Sequence, residues 1–190
     1  MGRVEKPPLD TRHSRVQKNG GTGQQVPSVG EITPEDYQEV DSIARALNPT
    51  WFTEAALQEI AYAVRHENGY VAVMDGVQVG FVTYRVNADD ETAELTWIGV
   101  RPDFQRKGIG RRLVGAIEQE LIGRGVKTLE VSTVAPTVNY EPYAQTRRFY
   151  HAIGFSDVRI EPKGFPRGDD KLLLRKQIGL QGRIDNEEDE

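Results

Sequence analysis

Apolar residues recur at helical spacing through Tyr37, Val40, Ile43, Ala44 and Leu47, directly behind Thr33-Pro34-Glu35-Asp36. A capping threonine, a proline in the first turn and acids at the positive end of the helix dipole are start signals, and Asn48-Pro49 is a stop. Thr53-Glu54 opens a second helical stripe of Ala56, Leu57, Ile60, Ala61 and Val64, closed by Asn68-Gly69. The period then shortens. Tyr70–Met74 and Val77–Val86 flank Asp75-Gly76, a two-residue hairpin signal, and Glu94–Val100 reads as a further strand closed by Arg101-Pro102-Asp103. A third helix is predicted from Gly108-Ile109-Gly110, with Leu113, Val114, Ile117 and Leu121 as its buried stripe and an end near Gly123 or Gly125. Thr128–Val134 follows as a strand, Gln145–Ile153 as a short helix closed by Gly154, and Val158–Glu161 with Leu172–Lys176 as a final strand pair. Helices and strands interleaved in this order predict one mixed α/β domain over residues 31–178, with a central, mostly antiparallel, twisted sheet and about four helices.

Composition narrows the chemistry. The 190 residues include no cysteine, which removes disulfides, thiolate metal sites and a cysteine nucleophile together. Three histidines, His13, His66 and His151, are too few and too scattered for a metal cluster, so no metal is expected. Apolar runs such as Val71-Ala72-Val73-Met74 are far too short to span a membrane, and residues 1–30 lack an apolar signal core, so a cytoplasmic protein is expected.

The net charge of −5 is unevenly spread. Residues 1–30 are basic and rich in Gly, Pro and Gln, and residues 179–190 end in Asn186-Glu187-Glu188-Asp189-Glu190; both read as disordered tails. An acidic total argues against nucleic acid as the main partner; the basic N-terminal stretch reads as a solvated extension rather than a membrane contact, so no membrane partner is expected.

Against that background, one segment reverses sign. Gln105-Arg106-Lys107-Gly108-Ile109-Gly110-Arg111-Arg112 follows a strand and opens a helix. Glycines at a helix N-terminus let backbone N–H groups converge on an anion, and the helix dipole adds positive potential. Leu113 stands where a dinucleotide fingerprint needs its third glycine, and the G-x-x-x-x-G-K-[ST] loop is absent. A pyrophosphate that is not a Rossmann-bound dinucleotide fits this loop.

The segment Gln105–Gly110 resembles the [QR]-x-x-G-x-[GA] signature of the GNAT superfamily of acetyl-CoA-dependent N-acetyltransferases. A second block, Thr146-Arg147-Arg148-Phe149-Tyr150-His151-Ala152-Ile153-Gly154-Phe155, is similar to that family's later helix–Gly–Phe motif. The resemblance implies acetyl-CoA as co-substrate, with Gln105, Arg106, Lys107, Gly108, Ile109, Gly110 and Arg111 around its pyrophosphate. It also implies that Ile98, Gly99 and Val100 pair with the pantetheine arm and that Tyr150 faces the thiol. Many members carry an asparagine seven residues before that tyrosine; here the position is Tyr143, so this contact does not transfer.

Acetyl transfer needs an amine that loses a proton, a donor for the oxyanion and a proton for the departing thiolate. By resemblance Tyr150 is the acid, against the alternative of a packed core aromatic. Glu94 is the base, placed by strict alternation on one strand face with Thr96 and Ile98, against the alternative of a salt-bridged strand-end residue; Glu130 is a second candidate. Trp51, Phe52, Phe165, Glu54 and Glu141 each read first as ordinary packing or surface; the alternative is that the aromatics shape an acceptor pocket and Glu54 or Glu141 draws a cation into it. The expected activity is transfer to a primary amine by direct attack in a ternary complex, with a small-molecule acceptor ahead of a protein one. A non-catalytic acyl-CoA-binding module, acetylation of a protein amine, and use of a longer acyl-CoA are the alternatives. A homodimer is compatible, since relatives pair through their sheets or final strands.

Overall fold

A computed structural model describes residues 26–88 and 91–179. Of the expected tails, 1–30 and 179–190, residues 1–25 and 180–190 lie outside the described residues. The two stripes near the N-terminus fold as α1 (Tyr37–Ala46) and α2 (Glu54–His66). A single 3-10 turn, Pro34–Asp36, leads into α1, and the Thr33 N–H and hydroxyl both donate to the Asp36 carboxylate at 2.8 and 2.9 Å. Thr53 caps α2 by accepting the Ala56 N–H at 3.1 Å, which satisfies one of the donors a helix start leaves unpaired. Val40, Ile43, Leu57, Ile60 and Val64 pack with Phe81 on one face of the sheet.

The sheet has seven strands: β1 (Ser28–Glu31), β2 (Asn68–Met74), β3 (Val77–Val86), β4 (Thr92–Val100), β5 (Thr128–Val134), β6 (Ser156–Glu161) and β7 (Lys171–Gln177), in the order β1-β2-β3-β4-β5-β7-β6. Every neighbouring pair is antiparallel except β4 with β5. α3 (Ile109–Gly123) crosses between those two parallel strands, and α4 (Glu141–Ala152) follows β5. Both cover the face opposite α1 and α2, where Leu113, Ile117, Leu121, Leu129, Tyr150 and Phe155 form the larger core.

Three departures from the sequence reading have physical causes. β1 begins at Ser28, inside the stretch expected to be disordered; pairing with β2 and the packing of Val29, its only large apolar residue, against the larger core hold this edge strand. α4 begins at Glu141 rather than Gln145, because Pro142 occupies the first turn, where its missing N–H costs no hydrogen bond. The third departure concerns β4 itself. Leu95 pairs with Tyr84 and Trp97 with Thr83, so Thr96 is an extra, bulged residue. The bulge inverts the alternation. Ala93, Leu95, Ile98 and Val100 face the α3/α4 core, whereas Glu94, Trp97 and Gly99 face α1 and α2. Glu94 and Ile98 therefore lie on opposite faces, contrary to the alternation expected for them.

The parallel pair is also short. It joins Thr92–Leu95 to Thr128–Val131, after which the two strands no longer pair with each other, although β4 stays paired with β3 and β5 with β7. The sheet opens at that point. No helix among the described residues is long and apolar enough to cross a membrane.

Candidate active site

Between β4 and α3 the chain makes a 3-10 turn at Pro102–Phe104, and the Gln105 side-chain amide donates to the Val100 carbonyl at 3.2 Å. Arg106 and Gly108 both take positive φ, 59° and 79°. The left-handed conformation costs a non-glycine residue about 1–2 kcal/mol, so the loop holds Arg106 in a shape its own chemistry disfavours. The result is a run of amides with nothing to bind. The first backbone bond of the helix is Arg112 N–H to the Gly108 carbonyl at 3.1 Å. Among the described residues, the N–H groups of Arg106, Lys107, Gly108, Ile109, Gly110 and Arg111 have no hydrogen-bond acceptor. Six consecutive amides at the positive end of a fifteen-residue helix form an anion cradle.

The two glycines serve different purposes. Open space surrounds a Cβ built at Gly108, so that position requires glycine for its φ. A Cβ at Gly110 would lie 3.0 Å from the Phe149 ring, so there the requirement is close packing of α3 on α4. Of the four cations, Arg106 and Arg111 line the adjoining cavity. Arg111 also donates to the Ala152 carbonyl at 3.0 Å, and the Lys107 ammonium rests 4.7 Å from the Phe104 ring centre. Unpaired amides, two positive-φ residues and two cavity-lining arginines suit the diphosphate of a CoA-type ligand.

From this cradle a cavity of about 1080 Å³ runs through the opening between β4 and β5 to the α1/α2 face. Ile98, Gly99 and Val100 line it on the β4 side and Ser132, Thr133 and Val134 on the β5 side. All the expected cofactor-binding residues except Lys107 line this wall. Arg147 ties α4 to the end of β5 by donating to the Val134 carbonyl at 2.8 Å. That places Tyr150 at the opening, where it lines the cavity while remaining only 3 % exposed. Its ring packs between Phe149 and Phe155, with centroids at 5.3 and 5.5 Å. Among the described residues no side chain or carbonyl pairs with its hydroxyl, and burial pushes the phenol above its ordinary value.

The far half of the cavity combines aromatic and apolar surface with charged side chains. Trp51, Phe52 and Phe165 line it, the alternative to ordinary packing, and Trp97 joins them, edge-on to Phe52 at 5.8 Å. Glu54, Glu141 and Glu130 do not line it; Glu130 is bonded to Arg175 at 2.5 Å on the neighbouring strand β7. Glu94 does line it, and its Oε2 accepts both Nε and Nη2 of Arg85, at 3.1 and 2.6 Å. The residue that sequence reading missed is Glu67. It follows α2 immediately, its Oε2 accepts the Thr96 hydroxyl at 2.5 Å, and Thr96 in turn meets the Thr83 hydroxyl at 2.8 Å. Nothing local marks it, since its partner lies twenty-nine residues away on a bulge. Tyr143, the departure from the motif, also lines the cavity; its hydroxyl accepts from Arg167 at 2.7 Å.

The family model of the acetyltransferase (GNAT) family matches residues 30–155. The chain belongs to that family. The match spans both the amide cradle and the Tyr150 helix, and it makes the chain an acyltransferase enzyme. The [ribosomal protein bS18]-alanine N-acetyltransferase of Escherichia coli (strain K12) is 32 % identical over 109 residues, covering 56 % of this chain and 68 % of that protein. A GNAT-family acetyltransferase from Desulfovibrio desulfuricans superposes with a TM-score of 0.69 at 26 % identity, over 79 % of this chain and 99 % of that one. An aminoglycoside 6'-N-acetyltransferase complexed with coenzyme A shares the fold, with a TM-score of 0.65 at 18 % identity over 82 % and 99 % of the two chains. The acetyltransferase fold thus frames the cavity, and acetyl-CoA is the acetyl donor of the family.

Proposed function

We propose that this acetyltransferase moves the acetyl group of acetyl-CoA to a primary amine by direct attack within a ternary complex. The observation that carries the reading is the cradle of six unpaired amides at one end of a cavity that passes through the sheet opening to Tyr150. In this reading Gln105, Arg106, Gly108, Ile109, Gly110 and Arg111 hold the diphosphate, Lys107 adds charge beside them, and the free edge of Ile98–Val100 takes the pantetheine arm like an added strand. When bound, acetyl-CoA supplies the thioester carbonyl that an amine attacks. The chain's residues do the rest. Tyr150 keeps a proton on its hydroxyl at neutral pH, because burial disfavours the phenolate, and so stands as the acid for the departing thiolate. Glu94 takes the amine proton: Arg85 occupies its Oε2 and leaves Oε1 without a partner among the described residues. With no cysteine in the chain, an acyl-cysteine intermediate has no residue to form on.

A small-molecule amine is the first reading for the acceptor. A second, a protein's N-terminal amine, is favoured by the similarity to the bS18-alanine enzyme. Thermal melting with CoA, acetyl-CoA and NAD tests the donor: a ligand at about 100 Kd adds about 2.7 kcal/mol, so either CoA species raises the melting temperature and NAD leaves it unmoved. Thiol release with a panel of small amines and an alanine-initiated peptide then separates the two acceptor classes. Absence of any shift with CoA and acetyl-CoA sinks the reading.

A further inference from the structure

Glu67 and Glu94 line the cavity with the guanidinium of Arg85 between them, while the cavity's Arg167 and Lys171 pair elsewhere, with Asp169 and Glu161. The guanidinium does not divide itself evenly. Two of its nitrogens bond Glu94, the shorter contact at 2.6 Å, whereas its nearest approach to Glu67 is 3.9 Å, the outer limit of an ion pair. Among the described residues, the only short hydrogen bond to the Glu67 side chain comes from the neutral Thr96 hydroxyl, on Oε2. Its side chain is only 15 % exposed, half the exposure of Glu94, so water compensates it poorly as well. A shielded carboxylate with an incomplete cationic partner is costly on its own and favours a cation brought from outside.

Its position makes that cation the acceptor. Thr96 is the first β4 residue beyond the last pair with β5, so Glu67 stands where the sheet opens, across from the Tyr150 face. Around it Trp51, Phe52, Trp97 and Phe165 provide apolar and aromatic surface suited to the body of a ligand. Glu59, the other carboxylate on the wall, sits on the exposed side of α2.

We infer that Glu67 is the acceptor-binding carboxylate of this site, and that the acceptor is a primary ammonium carried on an apolar or aromatic body. The inference rests on the acetyltransferase reading for the word acceptor, while the binding itself is measurable without turnover. Both tryptophans of the chain, Trp51 and Trp97, line the cavity, so intrinsic fluorescence reports its occupancy.

The test titrates CoA-saturated protein with hexylamine hydrochloride at neutral pH, with hexanoate as the control of like size and opposite charge. Hexylammonium gives a saturable fluorescence change and hexanoate none. Glu67→Gln retains an oxygen for Thr96 but loses the charge, and it weakens hexylammonium binding about 10- to 100-fold, the range of a charge-assisted hydrogen bond. Glu67→Asp stays within about tenfold of wild type, and the CoA-induced melting shift of both variants matches wild type. In turnover the Gln variant raises the amine KM with kcat little changed, the mark of a group that binds ground and transition states alike. Equal binding of hexanoate, no saturable binding of hexylammonium, or unweakened binding by Glu67→Gln overturns the inference. A wild-type protein that binds hexylammonium but releases no thiol with hexylamine, the small-amine panel or the alanine-initiated peptide overturns the acetyl-transfer reading instead.

Discussion

Replacing Tyr150 by Phe isolates one hydroxyl. The ring keeps its neighbours, Phe149 and Phe155 at 5.3 and 5.5 Å, and its place in a core where only 3 % of the residue is exposed. Because the lost hydroxyl has no hydrogen-bond partner among the described residues, no donor or acceptor is orphaned by its removal. The expected stability change is therefore within about 1 kcal/mol, or a shift of about 2–4 °C in Tm for a domain of this size. Catalysis is a different matter. A positioned general acid contributes about 10²–10⁴-fold, equivalent to about 2.7–5.4 kcal/mol of barrier at 1.36 kcal/mol per factor of ten. Thiol release followed with a disulfide reagent at saturating acetyl-CoA and amine should fall by that factor, while the CoA-induced melting shift stays at its wild-type size. Transition-state loss without binding loss is the signature sought. An unchanged kcat refutes the acid role and returns Tyr150 to core packing; a collapse of Tm by 10 °C or more refutes the statement that its hydroxyl is structurally idle.

The remaining predictions concern packing and titration. Gly110→Ala drives a Cβ to 3.0 Å from the Phe149 ring; overpacking of about 1–3 kcal/mol, offset by about 0.5–1 from better helix propensity, leaves a net loss near 1 kcal/mol in chemical denaturation. An equally stable variant shows that α4 yields there at no cost. Burial, with Tyr70 adding to it, lifts the Tyr84 phenol from 10.0 to about 12. A folded-state value raised above the unfolded one favours folding below pH 10 and loses that contribution as pH climbs from about 10 toward 12. Tyr84→Phe should flatten the fall of Tm over that window, and a parallel curve shows that Tyr84 contributes nothing to it.

Much of this site was legible from short-range pattern. The cradle was readable because its requirements are local: a strand end, two spaced glycines, clustered cations and a helix start lie within a dozen residues. The aromatic wall was only an alternative in the sequence, because Trp51, Phe52 and Phe165 carry no local mark that separates a pocket from ordinary packing, and Trp97 was not part of it. The face of Glu94 was not readable. An extra residue in β4 leaves no trace in hydrophobic alternation, because Thr96 fits either face, and the inversion is visible only through its pairing with β3. Glu67 was hidden for a related reason. After Arg65-His66 it reads as a solvated helix end, and only the tertiary approach of α2 to the bulge gives it Thr96. β1 escaped because four residues with one apolar side chain carry too little period to separate from coil.

Hydrogen exchange at the six amides of Arg106–Arg111 tests the central claim most directly, because these N–H groups are unpaired without a ligand. Saturating CoA should protect them strongly, with protection extending along Ile98–Val100, and dephospho-CoA should do the same because it keeps the diphosphate. Pantetheine, lacking the diphosphate, should protect the β4 edge but leave the six amides exchanging as in the free protein. Exchange at Arg106–Arg111 that is unchanged by saturating CoA contradicts the assignment of this loop as the diphosphate site.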